Sequence, residues 1–208
     1  MKMPLANIIV TTDILKAKYA AQLDEQAINY LSYLKQSSFT LSDYISGLLT
    51  HYESDRLVAE ADETFDIHQL LEEIIELLNI NLDCEINFPE ENFDMVCNRA
   101  VLEQIFLNLI GNSLKYNDKE KIVIDIDGHV GKDYYHFKVT DNGIGIPNHK
   151  IKDVFNLFSI VGTTDRNGKK GSGIGLSTVK KLVTTLDGEI QVTSEPGHGT
   201  SFKFSIKR

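Results

Sequence analysis

The sequence predicts an α+β protein, in which a helical hairpin at residues 1–58 precedes a larger domain of mixed helices and strands at residues 59–208. In the first part, apolar residues recur every three or four positions, as on one face of a long helix. In the second part, helical patterns are interspersed with short alternating runs typical of hairpin strands, which excludes a doubly wound parallel sheet. With 42% hydrophobic residues among 208, the chain is large enough to bury a sizeable core.

The hairpin prediction depends on two apolar stripes with coiled-coil spacing. A loop near residues 22–25 separates them, and Pro4 suits the opening turn of the first helix. Two helices cover only one side of each stripe, so we expect a second copy to complete a four-helix bundle, as a homodimer. The alternative is that the hairpin packs against the rest of its own chain. The stripes are Leu5, Ile8, Thr12, Leu15 and Tyr19, then Leu31, Leu34, Ser38, Leu41, Ile45, Leu48 and Tyr52.

The second part begins after an acidic stretch at residues 58–64, which is predicted to be a linker. Apolar faces predict helices at residues 66–79, 98–116 and 174–186. On the first of these helices the predicted apolar face is Leu70, Leu71, Ile74, Ile75, Leu77 and Leu78. Alternation predicts strands between the first two helices and at residues 121–127, 134–140, 189–194 and 201–207.

Charge and composition exclude several classes of protein. A formal net charge of −9 argues against a nucleic-acid groove, which requires a basic face. No apolar run approaches the ~20 residues of a membrane span, and no signal peptide is visible. Cys84 and Cys97 form no CxxC pair and are predicted to be buried thiols. We therefore expect a cytoplasmic protein.

Two glycine-rich strings indicate a ligand site. DNGIGIP (residues 141–147) follows a predicted strand, where the Asp141 carboxylate can accept a hydrogen bond from an exocyclic amine while glycines let the backbone approach a flat ring. GSGIGLS (residues 171–177) runs into a predicted helix, whose amino-terminal N–H groups and dipole favour phosphate. Each string alone could be a simple turn, and neither a Rossmann fingerprint nor a Walker A loop is present.

A third string, EQIFLNLIGNSLKYN (residues 103–117), places two amides on an apolar helix. Asn108 and Asn112 are four residues apart and share a face, with Lys115 and Tyr116 close to it. Amides on such a helix are costly unless they are satisfied. Mg²⁺ can be coordinated by an amide oxygen, and Lys115 would lie close enough to contact a phosphate. A bridge to the backbone would explain one such amide, whereas the pair together with Lys115 favours a metal and phosphate site.

Together the three strings resemble the ATP-binding domain of sensor histidine kinases, in the superfamily that also contains type II topoisomerase, Hsp90 and mismatch-repair ATPases. The resemblance implies a two-layer α/β sandwich with a mixed sheet from about Phe65 onward. MKMPLANI (residues 1–8) and the hairpin resemble the end of a dimerisation and phosphoacceptor domain. In chain order the strings resemble the N box (residues 103–117), the first glycine box (141–147), the F box (VFNLF, 154–158), the second glycine box (171–177) and the closing hairpin (EPGHGTSFKFSI, 195–206).

The resemblance also implies roles in ATP binding. Asp141 would bind the adenine amine, with Thr200 assisting through water. Asn112 would hold Mg²⁺, with Asn108 beside it. The other implied ATP-binding residues are Lys115 and Tyr116 at the phosphates, Gly143, Gly145 and Ile146 in the pocket, and Phe158, Lys170, Gly171, Ser172, Gly173, Gly175 and Leu176 around the second glycine box.

Residues 159–170 would form a mobile lid, as the resemblance implies. Their composition suits that role independently, because the segment is polar and contains glycine. Arg166, Lys169 and Lys170 against Asp165 also supply the local positive charge that an acidic protein needs to bind ATP.

The function implied by the resemblance is that of a protein histidine kinase, which transfers the ATP γ-phosphate to a histidine and thence to a response regulator receiver domain. The resemblance also implies that the chain could be the cytosolic part of a membrane-bound sensor. Hydrolytic relatives carry Glu where this chain has Asn108. An amide cannot take a proton from water, so the site should hold ATP for transfer to a better nucleophile, such as a neutral histidine nitrogen.

None of the six histidines stands in the sequence setting of the family's phosphoacceptor. Counting back from Pro4 places that histidine two residues before Met1, so this chain alone is expected not to phosphorylate itself. The alternative is a non-catalytic ATP-binding dimer that regulates a partner kinase or response regulator. A chaperone-like or topoisomerase-like ATPase is disfavoured by Asn108 and by the small size. The histidines are His51, His68, His129, His136, His149 and His198.

Overall fold

The computed structural model describes residues 2–20, 22–57, 61–80, 83–160, 164–166, 168 and 171–208. It divides into two compact units, Met1–Thr50 and His51–Arg208. The domain boundary predicted near residue 58 stays a prediction. Among the described helices, none combines the length and the apolar character needed to cross a membrane.

The first unit contains the predicted helical hairpin. Asp24 caps the second helix, because its carboxylate accepts a hydrogen bond from the main-chain N–H three residues later, at 2.7 Å. The helices run antiparallel, since Lys35 Nζ lies 2.6 Å from Asp13 Oδ1 while Lys16 Nζ donates to Ser32 Oγ at 2.5 Å. The two helices are α1 (Lys2–Tyr19) and α2 (Glu25–Leu57, which continues into the second unit).

The second unit has the predicted order of helices and strands. Its helices begin where side-chain caps occur, because Asp66 Oδ1 accepts from Gln69 N at 2.8 Å and Asn98 Oδ1 from Val101 N at 3.0 Å. The helices are α3 (Ile67–Leu78), α4 (Arg99–Lys115) and α5 (Gly175–Thr185), with a short 3₁₀ helix at Ile151–Asp153. The strands are β1 (Glu63–Asp66), β2 (Cys84–Asn87), β3 (Asp94–Cys97), β4 (Ile122–Val130), β5 (Tyr134–Asp141), β6 (Ile190–Glu195) and β7 (Gly199–Lys207).

A five-stranded mixed sheet forms one layer, in the order β2-β4-β5-β7-β6. Strands β2 and β4 are parallel, whereas the other neighbours are antiparallel. Alternate residues of the sheet pack with the three helices in one core, where Phe137 meets Phe106 edge-on at 5.3 Å and stacks on Phe204 at 5.1 Å between ring centroids. This confirms the α+β prediction of a two-layer sandwich.

Two details differ from the sequence predictions. Residues 63 and 64 belong to β1, which pairs with β3, and not to a linker. The strand forms because the next residue, Phe65, packs against the core. Leu77 was expected on the apolar face of α3 but is 64% exposed, since Ile67 and the three residues Leu70, Leu71 and Ile74 take the inward positions.

The two cysteines are free thiols; Cys97 is buried, as predicted, whereas Cys84 is only partly buried. Burial raises the pKa of Cys97 to about 12, and burial also raises the pKa of Cys84. Such thiols hold their protons at neutral pH and are poor nucleophiles.

Candidate nucleotide site

Asp141 is the last residue of β5, and it lies opposite Thr200 of β7 in the antiparallel register. Its Oδ1 accepts from Gly143 N at 2.9 Å and from Thr200 N at 3.2 Å. Ser113 Oγ, on α4, donates to Oδ2 at 3.1 Å. One carboxylate oxygen is therefore held by the backbone, while the other keeps lone-pair capacity for a further donor.

Burial raises the pKa of Asp141 above its ordinary value, and the hydrogen bonds from Gly143, Ser113 and Thr200 oppose that rise. The carboxylate thus lies in a partly dry environment but is supported by three donors. In such surroundings a hydrogen bond from an amine is stronger than it would be in water.

The first glycine string crosses between α4 and the hairpin of β6 and β7. A Cβ at Gly143 would lie 2.5 Å from Tyr116 O, at the carboxyl end of α4. Gly145 has φ +70°, and its Cβ would lie 2.2 Å from Glu195 O. The main chain between the two glycines bonds both neighbours, since Ile144 N donates to Tyr116 O at 3.1 Å and Ile144 O accepts from Gly197 N at 2.8 Å. Side chains at Gly143 and Gly145 would push these elements apart.

A hydroxyl chain supports the other side of the string. Ile146 N donates to Ser194 Oγ at 2.8 Å, and Ser194 Oγ donates to Gly199 O at 2.7 Å. Because the single proton of Ser194 is used there, Thr200 Oγ1, 3.0 Å away, is the donor between the two hydroxyls. Its lone pairs stay available to a bridging water, although the role of Thr200 stays a prediction.

The paired amides of α4 face the amino end of α5. Asn108 Nδ2 donates to Gln104 O at 2.8 Å, so the amide oxygen of Asn108 faces the amino end of α5. A Cβ at Gly175 would lie 3.1 Å from Asn108 Oδ1 and 3.8 Å from Asn112 Nδ2. The tertiary structure therefore brings the third string and the second glycine string together, and glycine at this position leaves room for the amides.

The second glycine string also lies close to Tyr116 and to residues 154–158, the string that resembles the F box. A Cβ at Gly171 would lie 2.1 Å from Tyr116 Oη. Gly173, with φ +68°, accepts a hydrogen bond at its carbonyl from Phe158 N at 2.9 Å. Phe158 is itself in the left-handed region at φ +63° and is 49% exposed. Burial and the charge of Asp165 raise the pKa of Tyr116, so it is a neutral donor at physiological pH.

The remaining predicted residues lie around this cluster or outside the described residues. Ile146 is buried, Ser172 and Leu176 are partly buried, and Lys115 is exposed. Lys170 lies outside the described residues, together with residues 161–163, 167 and 169 of the proposed lid. Within its described part, Arg166 donates from its N to Lys115 O at 2.9 Å and from Nη2 to Lys119 O at 3.1 Å.

Sequence reasoning missed four polar residues that hold the site: Ser113, Asn117, Asn142 and Ser194. A signal for Ser113 was present, because it stands four residues after Leu109, at an inward position of an apolar helix. Ser194 and the two asparagines gave no such signal, because Ser194 accepts from Ile146 N, 48 positions away, and the paired Asn117 and Asn142 are 25 positions apart.

The fold is similar to those of solved histidine kinases. The chain matches Acinetobacter baumannii histidine kinase AdeS with a TM-score of 0.63 at 20% identity, over 98% of this chain and 94% of that one. It matches full-length ShkA in complex with AMPPNP with a TM-score of 0.63 at 21% identity, over 99% of this chain and 43% of that one. These likenesses show the fold.

The chain belongs to the family of histidine kinase-, DNA gyrase B- and HSP90-like ATPases, whose model matches residues 97–208. It is 30% identical to sensor histidine kinase RcsC of Salmonella typhimurium, over 99% of this chain and 22% of that protein. It is 29% identical to the phytochrome-like protein Cph1 of Synechocystis, over 98% of this chain and 27% of that protein. The chain thus spans about a quarter of the length of these curated relatives.

Proposed function

We propose that the chain is the ATP-binding catalytic core of a two-component sensor histidine kinase. It would transfer the ATP γ-phosphate to a histidine upstream of Met1, and thence to a response regulator. The observation that supports this most is the approach of Asn108 and Asn112 to Gly175 at the start of α5, with α4 also carrying the Ser113 that bonds Asp141. One helix thereby connects an amine acceptor with a metal and phosphate site.

In this proposal the adenine amine donates to Asp141 Oδ2, the oxygen that only Ser113 contacts among the described residues. Asn112, with Asn108 beside it, would hold Mg²⁺ through amide oxygens, which fit a hard cation. When bound, Mg²⁺ neutralises charge on the phosphates. Lys115 and Tyr116 would donate to the phosphates, since Tyr116 keeps its proton at neutral pH.

Transfer is favoured over hydrolysis because the site offers no carboxylate where a general base would stand. Asn108 already donates to Gln104 O and presents only an amide oxygen toward α5. An amide does not accept a proton from water at neutral pH. A histidine nitrogen has no hydroxyl proton to remove, so it can attack without such a base.

The test is phosphate transfer with γ-labelled ATP and Mg²⁺. We expect the 208-residue chain to bind ATP yet stay unlabelled, whereas a chain extended by the codons upstream of Met1 gains acid-labile, base-stable phosphate. The extended Asn112→Ala variant is the control and should stay unlabelled. Robust labelling of the 208-residue chain would contradict the position of the acceptor. An extended chain that binds ATP but is never labelled would favour a non-catalytic regulator.

We further propose that α1 and α2 pair with a second copy of the chain. Within the single hairpin, Leu5, Thr12 and Ser38 are buried, whereas Leu34 and Leu41 are 55% and 49% exposed. The stripe is therefore covered on one side only, and a second hairpin offers the same apolar surface in return.

Sedimentation equilibrium tests the dimer. The wild-type chain should sediment as a dimer, and the double variant Leu34→Glu with Leu41→Glu as a monomer, because charge would be buried in the seam. The exposed neighbour Gln36 provides a matched control, since Gln36→Glu adds charge away from the stripe and should leave the dimer intact. A wild-type monomer at tens of micromolar protein would refute the pairing.

A further inference from the structure

The side chains of Asn117 and Asn142 form a hydrogen-bonded pair, which links the string at residues 103–117 to the first glycine string at residues 141–147. Asn117, just after α4, is 1% exposed, and its Nδ2 donates to Asn142 Oδ1 at 2.8 Å. Asn142 directly follows Asp141, while Asn117 directly follows Tyr116. The pair therefore connects the chain next to Asp141, the proposed adenine acceptor, with the chain next to Tyr116, a proposed phosphate contact.

Both polar atoms of the Asn142 side-chain amide form hydrogen bonds with the main chain at the start of β4. Val123 N donates to its Oδ1 at 3.0 Å, and its Nδ2 donates to Lys121 O at 3.1 Å. Its own main-chain N donates to Val123 O at 3.2 Å. These partners determine which way the amide faces, because a reversed amide would set donor against donor and acceptor against acceptor.

Asn117 is oriented in the same way by its own loop. Lys119 N donates to its Oδ1 at 3.0 Å, so only Nδ2 can face Asn142. The loop has a second tie to the first glycine string, since Tyr116 O accepts from Ile144 N at 3.1 Å. Each oxygen and each nitrogen of the two amides therefore has a partner. An aspartate at position 117 would place a carboxylate oxygen against Asn142 Oδ1, so the hydrogen bond between the two side chains would be lost.

We propose that the Asn117 and Asn142 pair is a positioning clamp, which sets the separation between the Asp141 carboxylate and the phosphate-facing end of α4. This rests on the proposed nucleotide site and deepens it. Neither asparagine contacts the nucleotide in this proposal. The Asp141 carboxylate itself is held by Gly143, Thr200 and Ser113, so loss of the clamp should spare the adenine end and loosen the phosphate end.

The experiment compares two probes on the full chain, adenosine and AMPPNP with Mg²⁺. Asn117→Asp sets two acceptors against each other, and Asn142→Leu removes the acceptor of the pair. Each should weaken AMPPNP binding about tenfold, which is the size expected for one disrupted buried hydrogen bond. Adenosine binding should change less than about threefold, because Asp141 keeps its own donors. Asn117→Ser retains one donor and one acceptor, so it should recover part of the AMPPNP affinity.

Asn87→Asp is the matched control, because Asn87 also donates to a side-chain oxygen, Asp125 Oδ1 at 2.8 Å, but on the open face of the sheet. It should leave both affinities unchanged even where it lowers the melting temperature. Equal losses for adenosine and AMPPNP, or no loss for either asparagine variant, would overturn the clamp. A wild-type chain that fails to bind AMPPNP would instead overturn the proposed function.

Discussion

Replacing Asp141 by asparagine should abolish ATP binding while leaving the fold intact. The substitution puts an amide NH₂ where the adenine amine would donate, so two donors would face each other. A hydrogen bond to a charged group contributes ~1.5–3 kcal/mol, and the repulsion adds to its loss, so affinity should fall about 100-fold or more. Isothermal titration calorimetry with AMPPNP and Mg²⁺ measures this directly.

The fold should survive because the amide of D141N can use every existing partner. Its oxygen can accept from Gly143 N and Thr200 N, as the carboxylate does. Its nitrogen can donate to Ser113 Oγ, whose own proton can go to Leu109 O at 3.1 Å. Asp125→Asn on the open face of the sheet is the control and should keep full affinity. Full ATP affinity in D141N would refute the pocket assignment.

The same carboxylate predicts how ATP binding and stability depend on pH. In the proposed site, ATP binding needs the ionised form of Asp141 and should be lost as pH falls through the raised pKa of that residue. Stability has the opposite sign, since a folded-state pKa above the unfolded one means that ionisation at neutral pH costs folding free energy. D141N should therefore melt at the same temperature as wild type at pH 7, or higher.

Ser113→Ala tests the cause of this pH dependence. Removing the Ser113 donor eliminates one of the hydrogen bonds that lower the pKa of Asp141, so the acid limb of ATP binding should move to higher pH. Alanine is a good helix former, so α4 should not lose stability. An unchanged acid limb, measured by titrations across pH, would show that the Ser113 contact does not tune the carboxylate.

The second large effect is expected at Gly145. Its φ of +70° disfavours any side chain, and a Cβ would lie 2.2 Å from Glu195 O, so Gly145→Ala must move the β6 and β7 hairpin away from the string after Asp141. We expect a loss of ~2–4 kcal/mol in unfolding free energy, from backbone strain plus overpacking. ATP affinity should fall as well, because Thr200 moves with the hairpin.

A substitution at Gly197 separates the effect of backbone strain from the effect of overpacking. Gly197 also has positive φ, +82°, but a Cβ there would meet nothing within 4 Å. Gly197→Ala should therefore cost only about 1 kcal/mol and leave ATP affinity unchanged. Urea unfolding with parallel binding measurements distinguishes the two variants. If both lose equally, conformational strain alone would explain Gly145, and the close approach of Glu195 would be unimportant.

Helices and strands could be predicted well because their signals are local. The predicted helix at residues 98–116 matches α4 with its caps, since Asn98 precedes an apolar run with helical spacing. β1 could not be predicted, because its four residues gain stability from β3, about thirty positions later. The exposure of Leu77 was hidden for a similar reason: the inward direction of a helix depends on what it packs against.

For the site, the sequence by itself determined the residue types and their motifs: a carboxylate at a strand end, glycines before a helix, and two amides one turn apart. Those signals follow from backbone geometry and side-chain chemistry within a few residues. Only the tertiary structure decided that Ser113 bonds Asp141, that Asn108 faces Gly175, and that Asn117 pairs with Asn142. These contacts join residues 25 to 67 positions apart, and chain folding alone sets which distant polar groups meet.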